Sequence, residues 1–316
     1  MAMAVVTFST PFNTNNNNKK ITNTRQHQHQ HHHHNLLFSS SSSGRCHLSR
    51  QRCLYHSRNK PCKMLCSKVE LGDEVEDEAC ELVSGVELIL GEGTDSFRAY
   101  LSMAVKNNNG IGVLVLSDVY GYEASSTRDF AYRVACNGYN VLIPDLFRGN
   151  PWIRERNRSE FDDWVSKQPS DRVVKDINVS AKWMADEFLA AGISKKLGII
   201  GFCFGGGRLI DTLAQDQGAY FNSAICFYGT HMDLSLAADI KVPILFISGD
   251  SDPLCPIEHL QDFEKTIGLG SRVVVFKGQG HAFVHRPESP EADKAAEEAF
   301  VIMRNWLNDG LVTNKS

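Results

Sequence analysis

No aspartate or glutamate occurs before Glu70 in this chain of 316 residues, while ten lysines and arginines do. An opening segment without acids, rich in Ser, Asn and His and carrying the tracts NNNN, HQHQHHHH and SSSSS, lacks the apolar periodicity of a folded domain. Also missing are an apolar run of the ~18 residues a membrane span requires and a secretory h-region, so the mature chain is expected to be soluble. The leader cysteines Cys46, Cys53, Cys62 and Cys66 have no second pair at zinc-site spacing. HQHQHHHH is read as low-complexity sequence in preference to a metal tract. The expectation is no metal and no cofactor.

Hydroxyl and basic residues without acids are the composition of an organelle transit peptide, disordered until removed. The uncharged start MAMAVVTFST points to the plastid stroma, with the mitochondrion as the alternative. The expected layout is a transit peptide over 1–66, an acidic arm over 67–84 and a single domain over 85–316. From Glu70 onward remain 23 basic against 37 acidic side chains, a formal charge of −14 where the whole chain has −4. So acidic a body excludes nucleic acid and anionic membrane as expected partners. Its five cysteines are widely spaced and odd in number, which fits a reducing compartment. Oligomeric state cannot be read; a monomer is the expectation.

The body alternates strand-like and helix-like runs. VELIL (86–90) and FRAYLSMAV (97–105), joined by a GEGTDS turn, predict an antiparallel hairpin. The continuous apolar run at 111–118 predicts a strand covered on both faces, and short apolar runs at 140–147, 196–202, 223–229, 242–249 and 272–278 predict further strands. Between and after them, 124–137, 171–191 and 288–307 carry apolar residues at helical spacing. This alternation predicts an α/β fold, a mainly parallel sheet with helices on both faces.

In such a sheet the chemistry lies at the carboxyl ends of strands. There the sequence places Asp118, then Cys203, then Asp252, then His281. Nucleophile, acid, base is the chain order of the α/β-hydrolase triad, and Gly-x-Cys-x-Gly at 201–205 has the form of its nucleophile elbow with sulfur replacing the hydroxyl. Such an elbow strains the nucleophile's backbone and demands small residues at Gly201 and Gly205; Gly206 and Gly207 are expected to let the following helix start close to the sheet. Each motif alone is weak, since a cysteine among apolar residues is usually inert packing and a lone histidine is usually structural. Their occurrence at successive strand ends favours a catalytic site.

The stretches SDVYGYE, NVLIPDLF, IGFCFGGG, GDSDPLCP and GQGHAF together resemble the dienelactone hydrolase family of carboxymethylenebutenolidase-like α/β-hydrolases, over about residues 85–308. The resemblance implies a Cys203 nucleophile, an Asp252 acid and a His281 base, with the backbone amides of Phe204 and Val119 as the oxyanion hole. It implies a small-molecule lactone or ester as substrate. Two positions depart from the family: Asp118 stands where a glutamate is thought to prime the thiol, and His285 stands where bacterial members carry a substrate-binding arginine, with Arg286 adjacent. Asp118 is therefore a candidate for priming, and His285, Arg286 and Arg154 are candidates for holding the substrate. A thioesterase or general carboxylesterase is the alternative within enzymes, and a non-catalytic ligand- or redox-sensing protein is the alternative outside them. A nucleotide-binding oxidoreductase is disfavoured because no glycine-rich phosphate loop follows the first long strand.

Overall fold

The computed structural model describes residues 83–190 and 197–313, and the expected transit peptide and nearly all of the acidic arm lie outside these. Eight strands form one sheet: β1 (Val83–Leu90), β2 (Phe97–Ala104), β3 (Gly112–Leu116), β4 (Asn140–Pro144), β5 (Leu197–Phe202), β6 (Phe221–Phe227), β7 (Ile244–Gly249) and β8 (Arg272–Phe276). Across the sheet they run β1-β2-β4-β3-β5-β6-β7-β8. The first two form the expected hairpin, β2 meets β4 antiparallel, and every pairing from β4 onward is parallel. This is an α/β-hydrolase fold.

The apolar runs dictate the layering. Every residue of β3, β4, β5 and β7 is buried, as strands sandwiched between helices require. The helices are α1 (Ser125–Cys136), α2 (Phe161–Ser166), α3 (Ser170–Ala190), α4 (Phe204–Asp216), α5 (Ile257–Ile267) and α6 (Pro290–Asn308). Helix α6 starts as its sequence directs: the Ser289 side chain accepts from the Ala292 amide and Pro290 opens the helix, where its missing N–H costs nothing. Within the core Phe202 and Phe227 stack at 4.9 Å, and Phe130 of α1 meets Phe202 edge-on at 4.7 Å.

Register decides which side chains meet. Leu116 pairs with Gly201, Phe202 with Phe227, and Gly249 with Phe276, so β3, β5, β6, β7 and β8 end along one edge. The loops and helix starts that leave these five strands share that edge.

Candidate active site

Cys203 caps α4 with φ 51° and ψ −115°, a left-handed backbone that a side chain adopts only under strain. The glycines around it are dictated by crowding. A Cβ on Gly205 would lie 2.5 Å from the Leu116 carbonyl oxygen, and one on Gly201 would lie 2.6 Å from the Gly205 carbonyl oxygen. Gly206 and Gly207 answer chiefly to the loop after β6, though a Cβ on Gly206 would also come 3.0 Å from Cys226 Sγ of β6. A Cβ on Gly206 would come 2.6 Å from Gly229 Cα and one on Gly207 2.1 Å from the Thr230 carbonyl oxygen, so these two admit the loop after β6.

His281 Nδ1 and Asp252 Oδ2 are 2.7 Å apart, with the aspartate side chain fully buried and the histidine 20% exposed. Burial opposes charge on His281, but the hydrogen bond to Asp252 and the proximity of Asp252 and Cys203 outweigh it and push its pKa up to about 9. Nε2 of His281 is buried with no protein acceptor of its own. The remaining oxygen of Asp252 accepts from the Leu254 amide at 2.8 Å, which fixes the carboxylate.

Phe204 begins α4, so its amide is one of the helix's unpaired donors. Val119 lies in the loop after β3, where its carbonyl accepts from the Trp152 amide at 2.8 Å. Trp152 therefore holds the loop that carries the second amide, backed by Phe161 and Trp164 at ring distances of 5.1 and 5.7 Å.

Asp118 is fully buried, and its carboxylate accepts from His285 Nε2 at 3.0 Å, from Arg286 and from the Tyr120 amide at 3.0 Å. Burial alone would raise its pKa; His285 and Arg286 instead bring it down to about 2. The thiol is not among these partners, and the shorter side chain is committed to an ion pair. His285 is likewise turned inward, its side chain fully buried, so it does not stand at the surface where a substrate carboxylate would meet it. Burial lowers its pKa, and the neutral ring accepts the Tyr228 hydroxyl at Nδ1, 2.5 Å away, while Nε2–H donates to Asp118. Tyr228 in turn lays its ring edge against His281 at 5.1 Å. Arg286 and Arg154 both lie over the ring of Tyr120, at 4.7 and 5.1 Å from its centroid. Those two, of the three expected substrate-holding residues, gather beside the Val119 loop.

Tyr120, Trp152, Tyr228 and Thr230 escaped the sequence reading. The last two lacked a sequence signal: the apolar run 223–229 continues past Phe227, where β6 ends, so the true strand end at the carboxyl edge was not marked. Among the described residues no group of three or more His, Cys, Asp or Glu could hold a metal ion, and no helix is long and apolar enough to cross a membrane.

Eight strands in this order, with a strained residue between β5 and α4, define the molecule as an α/β-hydrolase. Residues 97–311 match the dienelactone hydrolase family. The carboxymethylenebutenolidase homolog of Xenopus tropicalis is 30% identical over 258 residues, covering 79% of this chain and 98% of its own. The homolog of Homo sapiens is 28% identical over 207 residues, covering 63% and 82%. Among solved structures, the dienelactone hydrolase of Anabaena variabilis superposes with a TM-score of 0.56 at 17% identity over 73% of this chain and 99% of its own, a likeness of fold. The chain belongs to the dienelactone hydrolase family, and it is a hydrolase.

Proposed function

We propose that the chain hydrolyses small lactones or activated carboxylic esters through Cys203, His281 and Asp252, by way of an acyl-cysteine. The observation that carries this reading is the His281–Asp252 pair at 2.7 Å on the same sheet edge as the strained Cys203. The Cys203 thiolate attacks the carbonyl carbon, and the displaced electron pair moves to oxygen, held by the Phe204 and Val119 amides. Collapse breaks the carbon–oxygen bond, and the departing alkoxide takes the proton from His281 Nε2. Water then gives a proton to His281 as it attacks the acyl-cysteine, and thiolate leaves with the carboxylic acid released. Asp252 keeps Nδ1 protonated and Nε2 aimed at the reacting atoms, and it stabilises the imidazolium.

Arg154 and Arg286 over Tyr120 favour a substrate that carries a carboxylate near the scissile bond. A thioesterase would use the same machinery. A binding or redox-sensing role is disfavoured because it has no need of the His281–Asp252 pair. The acid-free leader supports import into the plastid stroma.

The test is wild type beside Cys203→Ala against a panel of lactones, aryl esters and thioesters. The alanine variant is expected to lose turnover on all of them. Cys203→Ser should fall by about two orders of magnitude or more, since a hydroxyl is far harder to ionise. Undiminished turnover by purified Cys203→Ala would sink the assignment.

A further inference from the structure

The loop after β6 meets Cys203 through Thr230. Tyr228 and His231 have φ of 37° and 55°, so left-handed backbone stands on both sides of the Gly229–Thr230 pair. Strain of this kind persists only where surrounding contacts enforce it, and it gathers at functional sites. Here the enforcing contacts are visible. The Thr230 amide donates to the Cys203 carbonyl at 3.0 Å, and the close approach of the loop depends on Gly206 and Gly207 lacking side chains. The outcome is that Thr230 Oγ1 lies 4.0 Å from Cys203 Sγ.

Two other groups compete for a role at the sulfur. Asp118 is engaged by His285, Arg286 and the Tyr120 amide. His281 holds Nδ1 on Asp252 and leaves Nε2 buried without a hydrogen-bond partner. The Thr230 hydroxyl does face the sulfur, on a loop bent twice into left-handed backbone. At 4.0 Å the contact is long, as such contacts are before substrate enters, and a small rotation of either side chain shortens it.

We propose that Thr230 is a further catalytic residue, its hydroxyl donating a hydrogen bond to the Cys203 thiolate. This rests on Cys203 being the nucleophile. A thiolate accepts more strongly than a thiol or thioester, so the hydroxyl acts where charge sits on sulfur: before attack, and again when the acyl group leaves. It also fixes the direction of the sulfur lone pairs. The spare glycines of the elbow then have a chemical purpose, since they bring a donor to the nucleophile.

The test is the pH dependence of Cys203 alkylation by iodoacetamide, followed on the Cys203 peptide by mass, together with kcat and KM for 4-nitrophenyl acetate. Thr230→Val keeps the shape and removes the hydroxyl. It is expected to move the alkylation midpoint up by about one pH unit and to lower kcat about tenfold with KM within about twofold. Thr230→Ser restores a donor and recovers most of the loss. Should the valine variant fail to fold, Thr230→Ala carries the same expectation. A folded variant lacking the hydroxyl, with wild-type midpoint and kcat, overturns the proposal. Turnover surviving in Cys203→Ala is a separate result, which removes the nucleophile on which the proposal rests.

Discussion

At the scale of single residues, two buried aspartates show how partners divide labour between like groups. Asp252 accepts from one imidazole and one amide, and leaves its histidine cationic over the neutral range. Asp118 faces a neutral histidine and an arginine and is held to about 2, a charge locked in place. With the His281 pKa at about 9, the imidazolium proposed to protonate the leaving group is lost above that pH. We therefore expect kcat/KM for an aryl ester to fall along an alkaline limb near pH 9. Asp252→Asn removes the Asp252 share of what raises the pKa, so the limb should move to lower pH and the rate should drop. A limb unmoved in that variant would show that another group sets it. The sign for stability comes from the same shift. The raised pKa contributes stability that is complete below about 6.5 and lost as pH rises through about 9.

At the scale of elements, the junction of β5, α4 and the loop after β6 carries the geometry. Gly207→Ala forces a Cβ to within 2.1 Å of the Thr230 carbonyl, a backbone atom that cannot swing aside as a side chain would. The loop has to retreat, which should cost about 1–3 kcal/mol in urea denaturation and slow Cys203 turnover by withdrawing Thr230. Wild-type stability would mean the loop yields freely. This junction also marks where sequence ceases to be sufficient. Strands were legible because continuous apolar runs have one physical explanation in a protein of alternating elements, and the residues after β5, β7 and β8 could be placed from them. His285 was not: a polar residue four positions after His281 reads as surface, and only the tertiary arrangement of Asp118 and Tyr228 makes a buried place for it. Thr230 was hidden for a local reason, because Tyr228 and Gly229 continue the apolar run of β6 in sequence while the backbone has already turned.

At the scale of the whole molecule, charge divides the chain more sharply than any other property. All ten basic residues before Glu70 stand without an acid, and the chain from Glu70 onward holds 23 basic against 37 acidic side chains. Every residue proposed to act in hydrolysis falls within 97–311, the extent of the family match. The leader's composition suits an import address, read and then removed. A fluorescent protein carrying residues 1–66 at its N-terminus should enter plastids and overlap chlorophyll fluorescence, while one carrying 67–316 should stay in the cytosol. The 67–316 chain should hydrolyse an aryl ester within about twofold of the full chain, because no reacting group has been removed. Delivery of the 1–66 fusion to mitochondria would support the alternative address, and its retention in the cytosol would leave the acid-free leader without an import role.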